Sequence, residues 1–182
     1  WRLWDEGETR ALPAFDRPEM LDADLAPLAL DLAAWGVSGF SSLSWLDAPP
    51  LPAWEEARAL LTRLGALDEA GRLTPHGEAL ARLPAPPRLA HMIARARERG
   101  EGLLAARLAV LLTEQGLGGR DADVRARLAR FNEERGPRAV AARRLAERLG
   151  GDAKEQVDPE RAGSVLALGF PERIAKARGK SA

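Results

Sequence analysis

The sequence predicts a mainly α protein in which a winged-helix domain with a short β-hairpin wing precedes an all-helical bundle. Apolar residues recur at helical spacing along most of the 182 residues. Most of these patterns end at a glycine, which adopts the left-handed conformation that closes a helix. The glycines are Gly36, Gly65, Gly100, Gly136, Gly150 and Gly169. Two helices, a tight hairpin and a third helix then follow in the winged-helix order.

The winged-helix domain is assigned to residues 18–84. Its predicted elements are helices at 25–35 and 52–64, strands at 66–68 and 72–74, and a helix that begins at Pro75. Asp24 caps the first helix, because Pro27 then lies in the first turn, where its missing N–H costs little. Thr74 caps the third helix. The two short strands flank a turn that contains a glycine, which is typical of a hairpin.

The helical bundle is assigned to residues 85–168. Prolines restrict both themselves and the residue before them, so the stiff run Pro84-Ala85-Pro86-Pro87 marks the domain boundary. Helices are predicted at about 87–99, 102–115, 122–135, 137–149 and 159–168. Residues 1–17 are interpreted as a connector, and residues 169–182 as the start of a further region.

The charge of the chain is divided unevenly, although 27 basic residues balance 27 acidic residues overall. Residues 1–85 hold 14 acids and 7 bases, whereas residues 86–182 hold 13 acids and 20 bases. The C-terminal half is therefore the one that can face a polyanion. No stretch is long and apolar enough to predict a membrane span, and the absence of cysteine fits a reducing cytosol. A cytoplasmic location is expected.

The sequence lacks the patterns of an active site or a metal site. Gly179-Lys180-Ser181 is not a phosphate-binding loop, because the first glycine of that motif is replaced by Ile174. His76 and His91 lie on different predicted helices without cysteine, so metal-ligand spacing is missing. His91 is interpreted first as a partly exposed surface imidazole. No catalytic residue, metal or cofactor is expected in this chain.

Several motifs occur in a fixed order along most of the chain. They are Phe15-Asp16-Arg17-Pro18-Glu19-Met20, Asp24-Leu25 through Trp35-Gly36, Trp45-Leu46-Asp47-Ala48-Pro49-Pro50, and Leu64-Gly65-Ala66-Leu67-Asp68 with Gly71-Arg72-Leu73-Thr74. Together they resemble the region that follows the motor domains in DEAH-box helicases, and Trp1-Arg2-Leu3-Trp4 resembles the chain as it leaves the last motor motif. Arg88-Leu89-Ala90-His91-Met92 and Phe170-Pro171-Glu172-Arg173-Ile174-Ala175 narrow the resemblance to the bacterial HrpB type.

The resemblance implies a segment of an ATP-dependent RNA helicase. In that family a winged helix follows two RecA-like ATPase domains, and a ratchet-like helical domain and an OB-like region come next. The parent protein would then use ATP and Mg²⁺, and its RecA-like domains would be partners of this segment. The chain itself is not expected to hydrolyse ATP. Residues 169–182 would begin an OB-like region that is cut short.

The candidate nucleic-acid-binding residues lie in the basic half. At 100° per residue, the predicted helix 87–99 places four of them on one face beside its apolar face. Further arginines extend the positive surface along later helices. The full set is Arg88, His91, Arg95, Arg99, Arg127, Arg130, Arg143 and Arg144. Phosphate contacts and stacking of guanidinium planes on bases are the interactions expected with single-stranded RNA, or with single-stranded DNA.

Three functions follow from these observations. The first is a non-catalytic accessory segment of an RNA helicase, whose bundle forms one wall of a single-stranded RNA channel and whose winged helix is a hinge and spacer. The second is a winged-helix transcriptional regulator, although the helix before the wing carries Glu55 and Glu56, which repel DNA phosphates. The third is a protein-interaction scaffold, which would not bind nucleic acid at low salt.

Overall fold

A computed structural model describes residues 18–37, 39–152 and 154–175, together with Asp5 and Gly7. Most of the predicted connector, and residues 176–182 of the predicted C-terminal region, lie outside this part. The described chain is mainly helical. Its α-helices are α1 (Ala26–Ala34), α2 (Leu51–Arg63), α3 (Pro75–Ala81), α4 (Pro87–Arg97), α5 (Gly102–Thr113), α6 (Val124–Glu133), α7 (Pro137–Gly150) and α8 (Ala162–Gly169). Each predicted helix is present within about two residues, except that the last begins with a 3₁₀ turn, Pro159–Arg161.

Helices α1, α2 and α3 pack around the first of two hydrophobic clusters. Trp54, Leu61 and Leu80 lie at its centre. Both predicted caps are confirmed. Asp24 accepts a hydrogen bond from the Ala26 N–H at 2.9 Å, and the Thr74 hydroxyl accepts one from the Gly77 N–H at 3.0 Å. Each satisfies a donor that the first turn of a helix leaves free.

The wing is shorter than predicted. Strands at 66–68 and 72–74 do not form, and a single antiparallel bridge joins Leu67 to Leu73. The Asp68 N–H donates to the Arg72 carbonyl at 2.9 Å, and the Thr74 N–H donates to the Ala66 carbonyl at 3.0 Å.

Three of the six glycines predicted to close helices in the left-handed conformation do so. Gly36, Gly65 and Gly100 have φ values of 81°, 71° and 69°. The others have different positions: Gly136 precedes α7, Gly150 lies in the last turn of α7, and Gly169 ends α8 without a positive φ. At Gly150 a Cβ would lie 2.7 Å from the Leu103 Cα, so glycine is needed there for close packing.

Helices α4 to α8 form a bundle around the second hydrophobic cluster. Its buried centre includes Met92, Leu108 and Phe131. Helix α4 contributes to both clusters, because Met92 packs in the bundle while Ala90 packs against the winged-helix residues. This helix therefore joins the two halves directly. Within the described residues, no helix has the length and apolar character needed to cross a membrane.

Candidate nucleic-acid interface

The first candidate, Arg88, contacts the C-terminal end of the described chain. Its guanidinium donates a hydrogen bond to the Gly169 carbonyl at 3.0 Å and forms an ion pair with Glu172 at 2.9 Å. It also lies 5.5 Å from the centre of the Phe170 ring. A backbone hydrogen bond and the charge of Arg88 lower the pKa of Glu172. The Arg88 side chain is 28% exposed, and its Nη1 makes both polar contacts.

His91 is partly buried and paired with the other histidine. The His76 Nε2 lies 2.9 Å from the His91 Nδ1, and the two rings meet edge to face. Burial, followed by the His76 and Arg95 charges, lowers the pKa of His91 to about 4. Burial and Arg95 also lower the pKa of His76. Both rings are therefore neutral near pH 7. His91 is partly exposed, as the sequence suggested, but its contact with His76 was not predicted.

Arg95 and Arg99 differ in their contacts. Arg95 pairs with Glu98 at 3.2 Å and is about half exposed. Arg99 lies beyond the end of α4 at Arg97, so it is not on the helical face predicted for it. Its side chain is exposed and has no hydrogen bond or ion pair with another described residue. A guanidinium in that position can meet a phosphate without first leaving a protein carboxylate.

Arg127 and Arg143 each reach the carboxyl end of another helix. Arg127 donates to the Leu111 carbonyl of α5 at 3.0 Å, and Arg143 donates to the Phe131 carbonyl of α6 at 2.6 Å. The last carbonyls of a helix have no partner within it and attract cations. These two arginines therefore satisfy helix ends inside the bundle.

Arg130 and Arg144 are exposed. Arg130 pairs with Asp121 at 3.4 Å, whereas Arg144 has no side-chain hydrogen bond or ion pair with another described residue. Arg148 lies one turn further along α7 on the same face, is also exposed, and is likewise without such a partner. Among the eight predicted residues, three thus reach backbone carbonyls and three form ion pairs, with Arg88 doing both.

The chain is similar to known helicases along nearly its whole length. Residues 57–85 match the family described as helicase associated domain (HA2), winged-helix. The ATP-dependent RNA helicase HrpB of Escherichia coli K12 is 36% identical over 171 residues, which are 92% of this chain and 20% of that protein. A crystal structure of the E. coli DExH-box NTPase HrpB aligns with a TM-score of 0.77 and 30% identity, covering 97% of this chain and 21% of that one. The chain is an HrpB-type segment of the DEAH-box helicase family.

The HrpB-type segment spans about a fifth of the HrpB relative that it matches. The ATP-dependent RNA helicase HrpA of E. coli K12 is 36% identical over 104 residues, covering 54% of this chain and 8% of that protein. The HA2 match runs from the middle of α2 through the wing and α3. The winged helix predicted from the order of its elements is thus confirmed as an HA2 domain.

A residue that the sequence reasoning missed completes the pattern of arginines at helix ends in the HrpB-type segment. Arg97 donates to the carbonyls of Leu149 and Gly150 at the end of α7. Arg88 makes the same kind of contact at the end of α8. In four helices of the bundle, a carbonyl near the carboxyl end therefore accepts a hydrogen bond from an arginine of another helix. The partners of Arg88 and Arg97 lie 81 and 52 residues away along the chain, so only the abundance of arginine could have signalled this role.

Among the described residues of the HrpB-type segment, no group of three or more His, Cys, Asp or Glu side chains is placed to hold a metal ion. Gly179-Lys180-Ser181 lies outside the described residues, and the sequence around it does not fit a phosphate-binding loop. The described residues contain no phosphate-binding loop of the kind that holds ATP with Mg²⁺.

Proposed function

We propose that this chain is a non-catalytic accessory segment of an ATP-dependent RNA helicase. In the longer protein, the bundle at 85–168 forms one wall of a single-stranded RNA channel, and the winged helix at 18–84 holds it against the RecA-like motor domains. ATP and Mg²⁺ belong to those motor domains, in a cytoplasmic protein. The family membership of the chain and the HrpB name of its relatives support this assignment.

The exposed arginines without protein partners carry the proposal. Arg99 and Arg144 lie in the half of the chain with 20 bases against 13 acids. Neither guanidinium forms a hydrogen bond or ion pair with a described carboxylate or carbonyl. Phosphate contacts from such residues give affinity that does not depend on sequence. Arg95 and Arg130 are also exposed, but each must first leave an acidic partner.

The winged helix is better suited to spacing than to reading DNA. In winged-helix regulators the helix before the wing enters the major groove. Here that helix is α2, whose exposed Glu55 and Glu56 would repel phosphates, and the guanidinium of Arg58 lies against Gly71 of the wing. Because α4 packs in both hydrophobic clusters, a fixed spacer has more support than a hinge.

Binding at two salt concentrations tests this proposal. The 182-residue chain would be titrated with an unstructured single-stranded RNA and with duplex DNA of mixed sequence. We expect RNA binding that tolerates changes of sequence and weakens as salt rises. Tight binding to one duplex site would instead support a transcriptional regulator. No nucleic-acid binding at low salt, together with a stable protein partner, would support a scaffold.

A double variant identifies the residues that contact phosphate. Each phosphate contact with a single strand contributes about 0.7 to the slope of log K against log salt. Arg99→Gln with Arg144→Gln is therefore expected to reduce that slope by about 1.4. Arg63→Gln is the matched control, because Arg63 is exposed and has no side-chain hydrogen bond or ion pair with another described residue but lies in the acidic half. An equal effect of the control would refute a localised phosphate-binding surface.

A further inference from the structure

The turn after α5 has an unusual backbone with three glycines in the left-handed region. Gly116, Gly118 and Gly119 have φ values of 81°, 67° and 79°. A Cβ at Gly118 would lie 2.3 Å from the Arg127 carbonyl oxygen, so no larger residue fits there. Gly116 and Gly119 line the neighbouring cavity, so part of its wall is backbone without side chains, which allows a ligand to approach closely.

Two side chains of α6 and the residues after it hold this turn in place. Arg127 donates to the Leu111 and Leu117 carbonyls at 3.0 and 3.4 Å. Glu134 accepts a hydrogen bond from the Gly118 N–H at 2.9 Å. The turn is thus fixed before any ligand binds, which lowers the entropy cost of binding.

The cavity beside the turn has a volume of about 320 Å³. This is near the lower end of the range for small-molecule sites, about 300–1,000 Å³, and suits one nucleoside. Leu112 gives it an apolar surface that is 46% exposed. Gln115 and Arg120 also line it, and their exposed side chains have no hydrogen bond or ion pair with another described residue.

The two carboxylates that line the cavity already have cationic partners. Glu114 pairs with Arg138 at 3.1 Å, and Asp121 pairs with Arg130 at 3.4 Å. Arg127 also lines the cavity but already donates to two carbonyls. The exposed groups left for a ligand are the Gln115 amide, the Arg120 guanidinium and the apolar surface. Such a set suits a flat polar ring better than a free phosphate, which would meet the two carboxylates at close range.

We propose that this cavity binds one base of single-stranded RNA. The Arg120 guanidinium stacks on the face of the base, and the Gln115 amide provides both a donor and an acceptor to its edge. Leu112 contacts the opposite face. This inference rests on the proposed RNA binding. It adds to the binding affinity a contribution from the base, whereas the contacts of the proposed function involve phosphate alone.

Abasic RNA separates this base site from phosphate binding. The 182-residue chain would be titrated with a short homopolymeric RNA and with the same RNA lacking its bases. We expect at least about fivefold weaker binding of the abasic RNA, the lower limit for one stacked base. Equal affinity for the two would overturn the base site while leaving RNA binding intact. Failure to bind either RNA would overturn both proposals.

Variants at the exposed positions locate the effect. Arg120→Lys keeps the charge but loses the stacking plane, and Gln115→Ala loses the amide. Both are expected to weaken binding of the normal RNA, while leaving the abasic RNA and the salt slope unchanged. Arg135→Lys is the matched control, because Arg135 is exposed on the same half but does not line the cavity. If both RNAs weaken equally in Arg120→Lys and Gln115→Ala, the site is wrong.

Discussion

Acid is expected to destabilise the fold through the contact between α3 and α4. The pKa of His91 lies at about 4 in the folded chain, against an ordinary value of 6.5, mainly because the ring is buried. The unfolded chain therefore takes up a proton as the pH falls below about 6.5, and the folded chain does so only near pH 4. Stability is full above this window and decreases as the pH falls through it.

The size of the effect follows from the separation of the two pKa values. At about 1.36 kcal/mol per pKa unit, the difference between 6.5 and about 4 sets an upper limit of roughly 3 kcal/mol. His91 is partly exposed, and solvent screening reduces the expected loss to about 1–2 kcal/mol. The other charges that face the pair are Arg95 and Glu98, which act in opposite directions.

Urea unfolding followed by tryptophan fluorescence measures this loss. Carboxylates also titrate in acid, so the comparison is between the natural chain and His91→Gln, at about pH 7 and about pH 4.5. We expect the natural chain to lose about 1–2 kcal/mol more than the variant. NMR gives a direct check, because the chain contains two histidines. A His91 ring that titrates near 6.5, or an equal loss in both proteins, would refute the reasoning.

Three further substitutions test individual contacts. Arg143→Gln removes the hydrogen bond to the Phe131 carbonyl and is expected to lower the free energy of unfolding by about 1–2 kcal/mol, whereas the adjacent Arg144→Gln changes it by less than about 0.5 kcal/mol; equal losses by urea unfolding would contradict the difference in their roles. Gly118→Ala places a Cβ against the Arg127 carbonyl at a φ of 67° and is expected to cost at least about 1–3 kcal/mol in the same assay, while unchanged stability would show that the turn is not held as described. Thr74→Ala removes the cap of α3 and is expected to cost about 1 kcal/mol, with Thr74→Ser retaining most of it; thermal unfolding measures both, and a serine variant as weak as the alanine variant would exclude the cap.

Local signals predicted the helices well, because periodicity and caps depend on neighbouring residues. Thr74 and Asp24 act within three residues of themselves, and both were predicted. The role of Gly150 was not predicted. A glycine can either end a helix in the left-handed conformation or allow a close contact between helices, and only the approach of Leu103 distinguishes these two roles. The pair of His76 and His91 depends on how α3 docks against α4, which spacing along the sequence does not specify.

The contacts of the arginines show why charge counts alone do not separate arginines that hold the fold together from those that are free to bind phosphate. The bundle is made of helices of 8 to 14 residues, so its core is surrounded by helix ends whose last carbonyls need donors. Arginine suits that task because its planar group presents several donors and stays charged. Part of the positive charge of the C-terminal half is consequently used in holding the bundle together.

The excess of positive charge therefore overstates the number of arginines that are free to contact RNA. Arg88, Arg97, Arg127 and Arg143 reach carbonyls at the ends of α8, α7, α5 and α6, respectively. Replacing them is expected to disturb the packing of the bundle, so a loss of the proposed RNA binding in such variants would not identify an interface. The informative positions are the exposed arginines without protein partners, because a change in salt dependence there reports on phosphate contact alone.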